Sequence, residues 1–258
     1  MVAGKSLKSQ IDLSLAREKD FSIPASDGAI IYGRANYAGD KPSSKLLVLS
    51  HGLTGHINEY IHLMARDHFN RAGYDVVRVS YYSLGDKARN LKDCTLKIHA
   101  SDLNAVLAHF SGNYDKVFVA GHSYGGLTIL FANPKVTAVS FWDSSFIPSF
   151  WGTEGSYIPE LDCYRIGWGC HNLVGKAMVE EAAGICEEDA VTMAQALNAP
   201  AQVILAGDNS ENEKRTLLFD SLTRKKDFYD VPHADHCFNK GKTVDDLLEK
   251  AGIWFGRF

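Results

Sequence analysis

Short runs of apolar and β-branched residues recur along the chain, separated by longer stretches with helix-like spacing. The run at 46–50 reads LLVLS, the run at 117–119 reads VFV, and the run at 201–206 reads AQVILA. Such short, strongly apolar runs are typical of strands buried on both faces of a parallel sheet. Further strands are predicted at 76–79, 136–141 and 227–231.

Helical spacing fills most of the intervals between these strands. The predicted helices cover 58–72, 98–110, the stretch from Leu127 onward, 215–222 and 244–255. Alternation of strand and helix indicates a parallel sheet with helices on both faces.

The beginning of the chain has a different pattern. Lys5 to Lys19 is amphipathic, which is compatible with a helix. Asp27-Gly28 then lies between two β-prone runs, Phe21 to Ile23 and Ile30 to Ala35, and this arrangement favours an antiparallel hairpin.

The alternation is interrupted from Trp142 to about Asn198, a stretch too long for an ordinary connection. We interpret it as a cap inserted after the sixth strand, with helices at 173–183 and 187–197. The core then comprises 1–142 and 199–258, and the cap comprises 143–198. The many aromatic residues of the cap either line a substrate pocket or form the cap's own core.

A serine stands at the transition from the 117–119 strand to the following helix. Gly121, Ser123 and Gly125 have the G-x-S-x-G spacing, and Gly126 adds further room. This spacing in a strand–turn–helix context is the signature of a nucleophile elbow. The serine would occupy a strained, positive-φ position, and its neighbours must lack bulk for strand and helix to approach each other.

A second glycine-containing loop, HGLTGH at 51–56, follows the LLVLS strand directly. Glycines just past a strand end expose backbone N–H groups, which acyl transfer needs as donors to the developing oxyanion. The candidate donors are the amides of Leu53 and of Tyr124, the residue after the serine. His51 is interpreted as structural, whereas His56 either lines the pocket or lies on the surface.

Composition narrows the class of protein. The chain has 258 residues, 45 % hydrophobic content and a net charge of −4, which fits one large α/β domain and indicates no broad surface for nucleic acid. We find no apolar run of membrane-spanning length and no signal-peptide core, so we expect a cytoplasmic protein without a membrane span. The five cysteines show no CxxC pair and are expected to be reduced thiols; a homodimer is an open possibility.

Taken together, these residues resemble an α/β-hydrolase over about 21–255. The resemblance depends on His51-Gly52, the Gly121-to-Gly126 turn, an acid after the strand ending at Ala206, and a late histidine in ADHCF at 234–238. HGLTGH with ADHCF is similar to small feruloyl or cinnamoyl esterases and to monoglyceride-lipase-like proteins. The resemblance implies a mostly parallel eight-stranded sheet with a cap after strand 6. The usual family turn after the fourth strand is replaced here by YSLGD at 82–86.

A serine hydroxyl needs a base, and histidine suits because its ordinary pKa lies near 6.5. His236 follows the last strand and stands where the family's histidine stands, whereas His233 lacks the family's following aromatic residue at the matching offset. A carboxylate must hold the histidine tautomer. Many relatives have the acid three residues past the strand-ending glycine, which is Ser210 here. Asp208 is therefore the first candidate, Glu211 the second, and Asp143 the third.

The resulting hypothesis is a serine hydrolase that cleaves a small carboxylic ester through an acyl-enzyme. The His and Cys residues show no ligand spacing, so no metal or organic cofactor is expected. A thioesterase, amidase, C–C hydrolase or acyltransferase would use the same residues, and a ligand-binding protein with this fold is an alternative from another class.

Overall fold

An eight-stranded sheet forms the centre of the computed structural model, which describes residues 17–41, 43–148, 156–168, 170–209 and 212–258. The strand order is β1-β2-β4-β3-β5-β6-β10-β11. Strand β2 runs antiparallel to β1 and β4, and the other pairs in this sheet are parallel. The strands are β1 (Glu18–Pro24), β2 (Ile30–Asn36), β3 (Lys45–Ser50), β4 (Asp75–Ser80), β5 (Lys116–His122), β6 (Ala138–Trp142), β10 (Ala201–Ala206) and β11 (Lys226–Val231).

Helices cover both faces of the sheet because successive residues in the central strands point to opposite sides. In β3, Leu46 and Val48 belong to one buried cluster, and Leu47 and Leu49 belong to the other. The helices are α1 (Tyr60–Arg71), α2 (Leu96–Phe110), α3 (Tyr124–Ala132), α4 (Lys176–Ala183), α5 (Glu187–Ala196), α6 (Asn212–Ser221) and α7 (Thr243–Phe255). The apolar faces of α1 and α7 pack with one cluster, and those of α2 to α5 pack with the other.

The predicted hairpin is confirmed. β1 pairs with β2 in antiparallel register from Glu18↔Asn36 to Pro24↔Ile30. Gly28 in the turn has a φ of 87°, a conformation that glycine adopts without a steric penalty. Most of the amphipathic stretch from Lys5 to Lys19 lies outside the described residues, and its last two residues belong to β1.

Between β6 and β10 the chain adds a small antiparallel sheet and two helices. The sheet consists of β7 (Ser156–Ile158), β8 (Cys163–Trp168) and β9 (Cys170–Gly175), and α4 and α5 follow it. The expected helix at 173–183 is therefore wrong in its first three residues, which form the end of β9. Helical spacing could not separate these residues from α4, because a short strand and the helix after it form one continuous apolar pattern.

The insertion is fastened to the core at α2. The Glu181 carboxylate of α4 accepts hydrogen bonds from the Leu96 and Lys97 amides at 2.5 and 3.3 Å, and the Thr95 hydroxyl accepts one from the Ile98 amide. These acceptors satisfy amides of the first turn of α2, where a negative charge is also favoured. Among the described residues, no helix is long and apolar enough to cross a membrane.

Candidate active site

The sharp turn between β5 and α3 presents Ser123 with a φ of 53° and a ψ of −124°. Glycines make this turn possible. A Cβ on Gly121 would lie 2.5 Å from the Gly125 carbonyl oxygen, and a Cβ on Gly125 would lie 2.2 Å from the Ser50 carbonyl oxygen. Any side chain at either position would push apart β5, α3 and the end of β3. The strained serine therefore depends on close backbone packing around it.

His236 lies next to this serine although it is 113 residues later in the chain. Its Nε2 is 2.9 Å from Ser123 Oγ, which is hydrogen-bonding distance. The loop after β11 that carries His236 is anchored by His122, whose Nε2 donates to the His236 carbonyl oxygen at 2.7 Å. Burial lowers the pKa of His122 to about 3, so this ring is neutral and its proton on Nε2 is fixed by the carbonyl acceptor.

The carboxylate that contacts His236 belongs to Asp143, the residue directly after β6. Its Oδ2 is 2.5 Å from His236 Nδ1. Asp143 is completely buried and has a φ of 42°. Burial alone would raise the pKa of this carboxyl, but the hydrogen bond from His236 and the positive charge of Arg215 outweigh burial and lower the pKa below its ordinary value.

Backbone hydrogen bonds hold Asp143 beside the serine turn. The Ser123 amide donates to the Trp142 carbonyl oxygen, and the Ser145 amide donates to the Ser123 carbonyl oxygen, both at 3.0 Å. The Asp143 amide in turn donates to the Ile204 carbonyl oxygen at 2.7 Å. The acid is thus positioned by the strand next to the serine strand.

The first-ranked acid of the sequence analysis is corrected by this geometry. Asp208 turns away from His236, and its carboxylate is 3.0 Å from Lys240 Nζ and 3.9 Å from His233 Nδ1. The Asp208 amide bonds to the Ala234 carbonyl oxygen, which fixes the turn in that orientation. Glu211, the second candidate, lies outside the described residues. Asp143, ranked third, is the acid that reaches the histidine.

His233, the alternative candidate for the base, does not face the serine. Its side chain is 92 % exposed and faces Asp208, so it does not compete with His236 for Ser123. Two residues that sequence reasoning missed, Asn209 and Arg215, contact Asp143 instead. Their position in the sequence could have indicated a contact with Asp143, because both follow β10, and β10 pairs with β6, the strand that Asp143 follows.

The HGLTGH loop approaches the serine from the end of β3. A Cβ on Gly52 would lie 3.1 Å from Ser123 Cβ, a tight contact that shows how closely this loop packs against the serine. Among the described residues, none accepts a hydrogen bond from the Leu53 amide, and Tyr124 begins α3 directly after the serine. His51 is buried, burial lowers its pKa to about 4, and its Nδ1 donates to the Gly52 carbonyl oxygen. His56 is exposed.

The described residues contain no cluster of three or more His, Cys, Asp or Glu side chains arranged to hold a metal ion. What they do contain is a hydrogen-bonded series of hydroxyl, imidazole and carboxylate. Because the Asp143 carboxylate accepts only, His236 must carry its proton on Nδ1 and present the Nε2 lone pair to the Ser123 hydroxyl. This arrangement can activate a hydroxyl as a nucleophile.

A family model described as serine aminopeptidase, S33, matches residues 41–138, less than half of the chain. No curated protein matches the sequence. Several solved structures have the same architecture over nearly their whole length.

The esterase Est1E of Butyrivibrio proteoclasticus with bound ferulic acid has a TM-score of 0.78 at 18 % identity, covering 92 % of this chain and 98 % of that one. The esterase domain of a Rhodothermus marinus protein has a TM-score of 0.74 at 18 % identity, covering 93 % and 98 %. The α/β-hydrolase GrgF of Penicillium sp. sh18 has a TM-score of 0.74 at 15 % identity, with the same coverage. The chain therefore has the α/β-hydrolase fold, as the motifs predicted.

Proposed function

We propose that the protein is a serine hydrolase that cleaves carboxylic esters. The observation that carries this proposal is the continuous contact from Ser123 Oγ through the His236 ring to Asp143, at 2.9 and 2.5 Å. Hydroxyl, imidazole and carboxylate in this order form the constellation used for nucleophilic acyl transfer on several unrelated folds.

In the proposed reaction Ser123 Oγ attacks the ester carbonyl carbon while His236 Nε2 takes the hydroxyl proton. Asp143 stabilises the imidazolium that forms and keeps the ring oriented. The oxygen of the tetrahedral intermediate becomes negative, and we assign the amides of Leu53 and Tyr124 as its hydrogen-bond donors. The position of Gly52 against Ser123 supports this assignment, since it brings the HGLTGH loop within contact of the nucleophile.

Collapse of the intermediate releases the alcohol, which receives its proton from His236. Water then attacks the acyl-enzyme with His236 again as the base, and Ser123 is regenerated. The first proton movement in this scheme, from Ser123 Oγ to His236 Nε2, joins two atoms that already lie within hydrogen-bonding distance at 2.9 Å.

We further propose that 143–198 acts as a cap over the substrate. The Tyr124 hydroxyl, on the helix that begins at the serine, donates to the Met178 sulfur of α4 at 2.9 Å. This contact between the insertion and the helix that follows Ser123 supports the proposal. Two proteins of similar fold are described as esterases, which supports an ester as the substrate, and the ferulic acid bound to one of them makes hydroxycinnamate esters the first class to test.

A second candidate is an amidase or aminopeptidase. The observation in its favour is the serine aminopeptidase description of the family model that matches 41–138. Amide cleavage would use the same serine, histidine and acid, with protonation of a leaving amine in place of an alcohol.

A fluorophosphonate probe and a substrate panel test the proposal. We expect the purified protein to be labelled, Ser123→Ala to lose labelling, and p-nitrophenyl or hydroxycinnamate esters to be turned over faster than amino-acid p-nitroanilides. The folded state of the Ser123→Ala variant is checked by circular dichroism. Absence of labelling in the wild type would rule out the enzyme, and preferential anilide cleavage would favour the second candidate.

A further inference from the structure

Asn209 occupies the turn after β10 in which the sequence analysis placed the acid. It follows Gly207 and Asp208, and its amide donates to the Ala206 carbonyl oxygen at 2.9 Å. Its side chain points in the opposite sense to that of Asp208, towards the centre of the site. There it meets both members of the acid–histidine pair.

The Asn209 side-chain nitrogen, Nδ2, is 2.6 Å from Asp143 Oδ2 and 3.4 Å from His236 Nδ1. The same carboxylate oxygen lies 2.5 Å from His236 Nδ1. An ionised carboxylate only accepts hydrogen bonds, so the amide must present its N–H to it and cannot accept the histidine proton. Two donors thus converge on one oxygen of Asp143 from different sides.

This convergence matters because the carboxylate torsion of aspartate has only broad intrinsic preferences. Donors therefore have to fix which oxygen faces the histidine. On the other side, Oδ1 accepts from the Ala206 amide at 3.1 Å and lies 3.6 Å from Arg215 Nε. The Arg215 Nε also donates to the Ser144 carbonyl oxygen at 3.2 Å. Asn209 is the side chain that holds the oxygen used by His236.

We propose that Asn209 is a positioning residue of the reaction: from the turn where an alternative acid would stand, it holds the Asp143 carboxylate so that Oδ2 accepts the hydrogen bond from His236 Nδ1–H. The inference depends on the serine hydrolase function proposed above. Because Asn209 Nδ2 lies near both Asp143 Oδ2 and His236 Nδ1, a carboxylate at 209 could take over the role of Asp143.

The first measurement is steady-state kinetics of Asn209→Ala on the best ester of the panel. We expect kcat to fall about 10- to 100-fold, the scale of a misplaced catalytic group, with KM unchanged because the Asn209 side chain acts through Asp143 and His236. Asp208→Asn, one residue earlier in the same turn and facing Lys240, is the matched control and should keep wild-type kcat. Wild-type turnover is established first, so failure of the proposed function would be recognised separately.

The second measurement is an exchange of the two residues, which also covers the case in which Asn209→Ala does not fold. Asp143→Asn alone should lose about 10³- to 10⁴-fold in kcat because the histidine tautomer is no longer held. Asp143→Asn with Asn209→Asp should recover at least about tenfold, since the carboxylate again reaches Nδ1. A role limited to folding would give no such rescue. The proposal is overturned if Asn209→Ala keeps kcat within about twofold of wild type, or if the exchange is no more active than Asp143→Asn.

Discussion

At the scale of single residues, the decisive feature is a completely buried carboxylate. Removing Asp143 from water is costly unless every oxygen has donors. The His236 ring, the Ala206 amide and the Asn209 side chain supply hydrogen bonds, and Arg215 supplies a positive charge nearby. Asp208 is 41 % exposed and faces Lys240, which is the ordinary environment of a surface acid. Asp143 is therefore the carboxylate that contacts His236, and Asp208 is a surface acid. From the sequence alone, Asp208 is predicted as the first candidate and Asp143 as the third.

The choice of acid gives the first prediction. Asp143→Asn should lower kcat by about 10³- to 10⁴-fold, because an amide permits the wrong histidine tautomer. Asp208→Asn should change kcat by less than about twofold. Parallel p-nitrophenyl ester assays at pH 7.5 check both variants. If kcat fell by a similar large factor in both variants, Asp208 would again be a candidate for the acid.

The serine and the histidine could be located from the sequence because each has a local signature. G-x-S-x-G requires a tight strand–helix turn, and ADHCF follows the last strand. The acid has no such signature, since carboxylates follow more than one of the neighbouring strands, as Asp143 follows β6 and Asp208 follows β10. The contact between Asp143 Oδ2 and His236 Nδ1 at 2.5 Å identifies Asp143, and this contact depends on the pairing of β6 with β5, which the sequence does not show.

At the scale of elements, the contact between α3 and the loop after β6 connects the Ser123 turn to Asp143. A Cβ on Gly126 would lie 2.1 Å from Ser144 Oγ and 2.6 Å from Ser144 Cβ. A rotation of the Ser144 side chain relieves the first contact but not the second. A side chain at 126 would therefore displace the backbone next to Asp143.

Gly126→Ala is the second prediction. Alanine is favoured over glycine in a helix by about 1 kcal/mol, so any loss must come from the steric clash. We expect a loss of about 1–3 kcal/mol in the free energy of unfolding, measured in urea, with kcat about tenfold lower. Gly112→Ala is the control, since a Cβ there meets nothing within 4 Å. Adding Ser144→Gly to Gly126→Ala should restore part of both losses; no restoration would mean that Ser144 is not the obstacle.

The core elements were predictable and the small sheet of the insertion was not, for a physical reason. β3, β5 and β10 are buried along almost their whole length, which produces continuous apolar runs. β7 is exposed in Ser156 and Tyr157, and the two buried residues of β8, Cys163 and Ile166, are three positions apart and do not follow the two-residue period of a strand. Strands of this kind depend on their partners' hydrogen bonds rather than on burial, so their sequences lack a strong period.

At the scale of the whole molecule, parallel topology brings the site together from distant parts of the chain. Ser50, Gly121 and Phe141 lie in one register row across β3, β5 and β6, so the three following loops meet at one sheet edge. The loop after β11 reaches the same edge from the far end of the chain. Surrounding this edge is a group of deeply buried histidines, His51, His62, His99 and His122, each no more than 4 % exposed.

These histidines make the stability of the fold depend on pH. Burial is the main cause that lowers the pKa of each, to about 4 for His51, to about 3 for His122, and well below the ordinary range for His62 and His99. The native state then binds fewer protons than the unfolded chain below pH 6.5. The stability that depends on these neutral histidines is fully present above pH 6.5. The free energy of unfolding then decreases as pH falls from 6.5 towards the pKa values that the histidines have in the folded state. Asp102 opposes this trend, since burial raises its pKa to about 6.

His99→Phe isolates one histidine of this group and is the third prediction. The His99 ring stacks on Tyr81 at 4.3 Å, and neither ring nitrogen has a hydrogen-bond partner among the described residues, so phenylalanine preserves the packing. Each histidine that stays neutral in the folded state lowers the free energy of unfolding by up to about 1.4 kcal/mol for each pH unit below 6.5. Between pH 6.5 and 5.0 the variant should therefore lose about 1.6 kcal/mol less unfolding free energy than wild type, measured by urea titration at both pH values. Asp102 is present in both proteins, so its effect on the pH dependence of the free energy of unfolding is the same in both and cancels in the difference. Equal losses in the two proteins would mean that His99 does not remain neutral inside the folded molecule.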